Sequence, residues 1–381
     1  MKIEHLKLTN FRNYDSLELD FNKNINIFIG NNGQGKTNIL ESIYVLSLTK
    51  SNRYGIDSDL IKFQKEVAKV EGTVRDDTLI KKQEVLITKL KKQLAINGKE
   101  IRKTRDYISN FCVISFTPND LEIIKGSPSV RRNLLNIDIS QLYNNYINYL
   151  NEYNSIIKIR NDYLKKINLN GNSDYRYLDI INEKIVEKAD KIYSYRFTFL
   201  ENINKYLPNI YKKITGLEGL IVQYDNSLGL DKYNADTIKK KFYDKFKRNL
   251  HQELMQGITL TGPHRDDFLF SLNGMDMKNY ASQGQQRMAI IAFKICELYI
   301  FKDILDTYPV LLLDDIFSEI DTKKRNKIIK FLKSDIQTII TTTDINDIND
   351  DLLTDASIYM INNNKVTKKG RINNGRRKDN K

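Results

Sequence analysis

Residues 30–37 read Gly-Asn-Asn-Gly-Gln-Gly-Lys-Thr, the G-x-x-x-x-G-K-[ST] spacing of a phosphate-binding loop. An apolar run, Ile25 to Ile29, leads into it. Apolar residues at helical spacing (Ile39, Leu40, Ile43, Tyr44, Leu46) follow. A strand that enters a glycine loop and leaves as a helix confines the chain to α/β folds. In Gly30, Asn31, Asn32, Gly33, Gln34 and Gly35 the glycines let backbone N–H groups face a phosphate, at a helix start whose dipole favours negative charge. Lys36 is placed to reach the β- and γ-phosphates, and the Thr37 hydroxyl to ligate Mg²⁺.

Far downstream, Pro309-Val310-Leu311-Leu312-Leu313 reads as a buried strand ending in Asp314-Asp315. Carboxylates at such a strand end are where Walker-B acids stand. Asp314 is expected to hold Mg²⁺ through water, and Asp315 to face the attacking water as base or positioner. Between the two motifs lies Ser282-Gln283-Gly284-Gln285-Gln286-Arg287, opening a helix at Met288 to Ile300. Ser318-Glu319-Ile320-Asp321 follows the acidic strand. This is the motif order of ABC-type ATPases, in which a serine and a glycine at a helix start (Ser282 and Gly284) meet the γ-phosphate held by a second subunit. The expected fold class is an α/β, ABC-type (SMC-like) P-loop ATPase head with an inserted α-helical lobe, and the expected cofactors are ATP and Mg²⁺. Asp315 stands where many such enzymes have Glu, and its shorter reach suggests slow hydrolysis.

Further strings extend the pattern: Leu8-Thr9-Asn10-Phe11-Arg12-Asn13-Tyr14, Phe116-Thr117-Pro118-Asn119-Asp120-Leu121, Lys125-Gly126-Ser127-Pro128, and Thr261-Gly262-Pro263-His264-Arg265-Asp266-Asp267. With these in order over nearly the whole chain, the sequence resembles the RecF family of bacterial recombination-repair ATPases, relatives of the SMC proteins. Two departures are small. Lys50-Ser51-Asn52-Arg53-Tyr54 has Asn and Tyr where the family has His and Thr, and Ile320 replaces a Leu. The resemblance implies an ATP-dependent homodimer, DNA binding, and work with RecO and RecR in placing RecA at gaps. It also suggests Arg12 as a further nucleotide contact.

The expected organisation is 1–117 and 255–364 as the two halves of the head, 118–254 as the lobe, and 365–381 as a disordered basic tail. A hairpin over Ile3 to Phe21, a strand at Ile25 to Ile29 and an Asn97-Gly98 turn suit the first half. Apolar residues spaced four and three from Leu135 to Ile167, interrupted at Arg160, and again from Leu178 to Tyr206 predict two helices of about 30 residues. Asn168-Leu169-Asn170-Gly171-Asn172-Ser173 breaks them, and the second ends at Pro208. Phe268 to Leu272 with Asn273-Gly274 predicts a further hairpin.

The chain carries 61 Lys+Arg against 48 Asp+Glu, a net charge of +13 that favours a polyanionic partner. The abundance of Asn, Ile, Lys and Tyr points to A/T-rich codons, so part of the charge records base composition. Phosphate contacts to DNA are expected from Lys125, Arg131 and Arg132 at the lobe entrance, and from Lys158 and Arg160, with Lys165 and Lys166, on the helical hairpin. The basic tail is a further candidate. The N-terminus shows no secretory signal and no apolar run approaches a bilayer span. Cys112 and Cys296 read as buried thiols of a cytoplasmic protein. The alternatives are a general SMC-like ATPase, the ATPase subunit of a transporter, and a nuclease with an ABC head. The last would need an acidic metal cluster after the ATPase core, where this chain has a basic tail.

Overall fold

A computed structural model describes residues 1–369 apart from 54, 77–78, 171–174, 333–334, 346–347, 349–352 and 354–355. The chain divides into two compact units. One joins Met1–Asp120 to the chain from Glu297 onward, and the other is Leu121–Cys296.

In the first unit, β1 (Lys2–Phe11), β2 (Tyr14–Asp20), β4 (Val67–Arg75), β5 (Ile80–Thr88), β6 (Lys92–Ile96) and β7 (Lys99–Glu100) form an antiparallel sheet. Its order is β2-β1-β4-β5-β6-β7. One face is buried, Ile3, Leu6, Leu8 and Phe11 of β1 with Val85 and Ile87 of β5, the alternation of β1 being broken by a bulge between Ile3 and His5 and by Asn10 at φ 49°. A second sheet holds β3 (Ile25–Ile29), β8 (Val113–Phe116), β12 (Val310–Asp314), β13 (Thr338–Thr342), β14 (Ala356–Asn362) and β15 (Lys365–Lys369). Its order is β15-β14-β3-β13-β12-β8, parallel except for β15. The parallel strands β12 and β13 are buried throughout, as continuous apolar and β-branched runs require.

The helix Lys36–Leu48 contacts β4 and β5 of one sheet and β8, β12 and β13 of the other. Buried on nearly every side, Glu41, Ser42 and Ser47 included, it is a central element of the unit. Gly72 admits it, since a Cβ there would stand 2.3 Å from Leu46 Cδ2. Both cysteines are buried free thiols.

The second unit contains the helices Pro128–Leu142, Tyr146–Asn170, Tyr175–Thr215 and Ala235–Gln256. It also holds a sheet of β9 (Leu220–Asp225), β10 (Asp267–Leu272) and β11 (Met275–Asp276), in the order β11-β10-β9. The expected helical hairpin is modified in two ways. The first run is split by residues 143–145 into helices of 15 and 25 residues. The second does not stop at Pro208 but runs from Tyr175 to Thr215, 41 residues in all. Proline removes one donor, while Leu207, Ile210, Tyr211 and Ile214, all buried, keep the last turns packed. The break expected from Asn168 comes later, since Asn168, Leu169 and Asn170 still belong to the helix, and residues 171–173 lie outside the described residues. The chain after 255 does not return at once to the first unit, because β10 pairs along its length with β9.

Among the described residues, three two-residue hairpin turns have both residues at positive φ: Asn97-Gly98, Asn273-Gly274 and Asn363-Asn364. The last corrects the expected tail. Lys365–Lys369 is not disordered but forms β15, paired with β14. Residues 370–381, with the tail's remaining basic residues, lie outside the described residues.

Candidate nucleotide site

The phosphate loop runs from the end of β3 into the helix at Lys36, so backbone geometry does most of the positioning. Gly35, at φ 98°, caps that helix, and a Cβ there would fall 2.6 Å from the Tyr14 hydroxyl. Tyr14 donates to the Gly35 carbonyl at 3.2 Å, which ties the β1–β2 turn to the loop. A Cβ on Gly30 would stand 2.5 Å from the Ile361 carbonyl, so the β14–β15 hairpin closes over the loop's first residue. Gln34 accepts the Asn363 N–H at 2.5 Å, and Asn13 donates to the side chain of Asn364. Gly33 meets nothing within 4 Å of a would-be Cβ and leaves open space over the loop.

Lys36 is largely buried and donates to the Gly30 and Asn31 carbonyls, the second at 3.0 Å. Burial lowers its pKa, and the carboxylates of Asp315 and Asp314 act in the opposite sense. Thr37 Oγ1 donates to Asp314 Oδ1 at 3.0 Å across 277 residues of sequence. Thr341 of β13, the strand between β3 and β12, holds the same carboxylate oxygen at 2.6 Å. The Asp315 N–H donates to the Thr341 carbonyl at 3.1 Å, and Asp315 itself sits at φ 49° just past the strand end. Two hard oxygen donors beside a lysine and a row of backbone N–H groups suit Mg²⁺ and a polyphosphate.

Sequence reasoning missed Thr341, Tyr14 and the Asn363-Asn364 turn. For Thr341 a signal existed in the β-branched run Thr338 to Thr343, which reads as a buried strand. Arg12 lies in this unit, with an N–H on each of its three side-chain nitrogens engaged. It binds both oxygens of Glu41, at 2.9 and 2.6 Å, and the Asp59 carbonyl at 2.7 Å.

In the second unit, Ser282 and Gln285 make a reciprocal cap at the start of the helix Gln283–Leu305. The Gln285 N–H donates to Ser282 Oγ at 3.2 Å, and the Ser282 N–H to Gln285 Oε1 at 2.9 Å. Ser282 and Gly284 are exposed, with nothing within 4 Å of a would-be Cβ on Gly284.

The structure separates the DNA candidates. Lys125, Lys158, Lys165 and Lys166 are exposed. Arg131 is not available. It is buried, chelates Asp267 through two 2.7 Å bonds, and donates to the Ile123, Ile124 and Gly126 carbonyls. Arg160 is not available either. Fully buried, it binds Glu253 at 2.7 Å, Asn182 at 2.7 Å and Thr259 at 3.0 Å, and lies over the Phe246 ring. Both fail as phosphate contacts because their donors are spent inside the unit. Arg132 is half-buried and donates to the Asp266 carbonyl at 2.8 Å.

The Gly-Pro-His-Arg-Asp-Asp string belongs to the same internal network. His264 bridges the Tyr153 hydroxyl at 2.7 Å and the Thr259 carbonyl at 3.2 Å. Asp266 accepts from Tyr224 and from the Ser227 N–H. Arg196, buried, donates to the Pro263 carbonyl at 2.6 Å.

A P-loop helix held between an antiparallel and a parallel sheet, facing an acidic strand end, is the head architecture of ABC-type ATPases. The comparisons with known proteins narrow this. The model of the RecF/RecN/SMC N terminal domain family matches residues 2–369. A relative named DNA replication and repair protein RecF, from Oenococcus oeni, is 37% identical over 365 residues, covering 95% of this chain and 98% of its own. A solved structure described as the recombination mediator protein RecF with ATP in the RecFOR pathway superposes with a TM-score of 0.89 at 34% identity, covering 97% of each chain. The Smc head domain from Pyrococcus furiosus shares the fold, with a TM-score of 0.52 at 16% identity over 96% of each chain. The chain belongs to the RecF family.

Proposed function

We propose that the protein is an ATP-dependent DNA-binding clamp of recombinational repair and replication restart. It dimerises on ATP and acts with RecO and RecR to load RecA at gaps, in the cytoplasm and within the SOS response. The observation that carries the ATPase reading is the 3.0 Å contact of Thr37 with Asp314, which joins the phosphate loop to the acidic strand end. Full-length likeness to RecF proteins supports the repair role over a transporter or a general SMC-like subunit. Among the described residues no helix is long and apolar enough to cross a membrane.

On this reading Lys36 exchanges the Gly30 and Asn31 carbonyls for the β- and γ-phosphates. Residues 30–35 present backbone N–H groups to the same phosphates. Thr37 and Asp314 would hold Mg²⁺, which when bound neutralises phosphate charge and orients the γ-phosphoryl group. Asp315 positions the attacking water, and its short side chain keeps hydrolysis slow, as suits a switch. Ser282 and the Gly284 N–H, exposed on one copy, close over the γ-phosphate of the other. A ligand shifts such an equilibrium only through contacts it makes in the closed dimer.

Sizing in solution, with and without ATP and a short duplex, tests the proposal beside Lys36→Arg. Wild type is expected to double in mass with ATP, and Lys36→Arg to remain monomeric. A wild-type monomer under every condition would sink the clamp.

A further inference from the structure

One carboxylate in the first unit has no part in the reading above and is nevertheless fully enclosed. Glu41 lies one helical turn beyond Thr37, on the helix that the phosphate loop opens, and its side chain has no exposed surface. Taking a carboxylate out of water costs several kcal/mol unless donors replace the lost hydration. Here four donor contacts from three residues do so. Arg12 supplies Nε at 2.9 Å and Nη2 at 2.6 Å, Ser51 its hydroxyl at 2.5 Å, and Arg53 its Nη1 at 3.5 Å. The same Arg53 nitrogen donates to Asn38 Oδ1 at 3.2 Å, and Asn38 in turn donates to Asn13 at 2.7 Å.

The two arginines reach Glu41 from different segments. Arg12 is in the β1–β2 turn at φ 51°, a left-handed conformation that costs an L residue about 1 kcal/mol or more. That turn is the one whose Tyr14 docks on Gly35. Arg53 comes from the coil after the loop helix, with its side chain about half exposed (46%). One buried carboxylate thus gathers two partly exposed guanidinium groups at the first turn after Thr37, and both keep N–H groups beyond those used in these contacts.

We infer that Glu41 is a positioning residue for nucleotide binding: it fixes the Arg12 and Arg53 guanidinium groups beside the phosphate loop so that their remaining N–H groups meet a polyphosphate. The inference rests on the ATP-binding reading given above. Glu41 touches no substrate and acts only through the arginines. It therefore contributes to binding in ground state and transition state alike, and its loss should raise KM while leaving kcat in place.

The test is a double-mutant cycle in the full chain, read by steady-state ATP hydrolysis, by ATP affinity, and by thermal melting without nucleotide. Glu41→Gln keeps the shape but turns an amide N–H₂ toward an arginine donor. It is expected to raise KM and the ATP Kd about ten-fold, with kcat within two-fold of wild type. Arg12→Ala and Arg53→Ala should each weaken binding, and adding Glu41→Gln to the Arg12→Ala/Arg53→Ala pair should cost nothing further. Glu41→Asp, which keeps the charge on a shorter arm, should recover part of the affinity. If Glu41→Gln still weakens binding in a chain that lacks both arginines, or if kcat falls with KM unchanged, the inference is overturned. The same holds if Glu41→Gln merely melts earlier and binds ATP normally. Wild type that binds no ATP would refute the ATP-binding reading itself, which keeps the two failures distinct.

Discussion

Arg160 shows what a single position discloses before its partners are known. It is the one polar interruption of an apolar stripe, which the sequence displays, and a lysine- and arginine-rich lobe invites its assignment to DNA. Its anchor, Glu253, is 93 residues away, and no local spacing links the two. Enclosed with that carboxylate and stacked on Phe246, the guanidinium is part of the packing. Arg160→Met should therefore destabilise the protein by about 3–5 kcal/mol, because a buried Glu253 is left uncompensated. Arg160→Met/Glu253→Leu should recover most of that loss, and denaturant titration of the three proteins checks it. His264 offers a second residue-scale expectation, this time in pH. Burial, chiefly, lowers its pKa from 6.5 to about 4. The neutral ring can donate from Nε2 to the Thr259 carbonyl and accept from Tyr153 at Nδ1. The unfolded chain thus binds the proton more readily between those two values. The stabilisation is complete above pH 6.5 and is lost as pH falls toward 4, by up to roughly 3 kcal/mol. Denaturant midpoints at pH 7 and pH 5 should fall less for His264→Gln than for wild type. The neighbouring Asp266, whose pKa is raised by its own burial, is common to both proteins and cancels in the difference.

At the scale of elements, what is locally encoded was readable. The β3–loop–helix unit, the Asn97-Gly98 and Asn273-Gly274 turns, and the acidic end of β12 follow from spacings within ten residues. What depends on distant pairing was not. That β13 lies between β3 and β12, and that β9 recruits β10 to the helical unit, are properties of the sheets rather than of any window. The β14–β15 hairpin fell between these cases, since Asn363-Asn364 lacks the glycine that marks a tight turn and its second strand is lysine-rich. Its role is specific: the turn contributes the Asn363 N–H that holds Gln34 of the phosphate loop. Valine at 363 would have to adopt the left-handed conformation seen at φ 46°, at a cost of roughly 1–2 kcal/mol, and the turn would shift. Asn363→Val is therefore expected to weaken ATP binding several-fold. Asn363→Gly, which keeps the N–H and accepts positive φ, should bind as wild type does. Fluorescent-nucleotide titration of both variants separates this latch from a passive hairpin.

For the molecule as a whole, the +13 of the sequence is not reduced by burial. Among the described residues Lys36, Arg131, Arg160, Arg196, Lys294 and Arg325 are buried, and so are as many acids: Glu41, Asp138, Glu253, Asp266, Glu297 and Asp314. The inner charges cancel, and the excess remains on groups that can meet a polyanion. Residues 370–381 hold five cations and one acid, so a chain ending at Lys369 keeps +9. If the clamp reading holds, DNA affinity should fall linearly on a log–log plot against salt, with a slope of about 0.9 per phosphate neutralised. Lys125→Ala and Lys158→Ala, both at exposed positions, should each lower that slope by about 1 without changing sequence preference or melting temperature. Ending the chain at Lys369 should lower the slope further but leave measurable binding. Should the truncation alone abolish binding while the two alanine variants match wild type, the contacts lie in the tail and the lobe lysines are only solvated. Titrating one duplex at several salt concentrations with all four proteins distinguishes these outcomes.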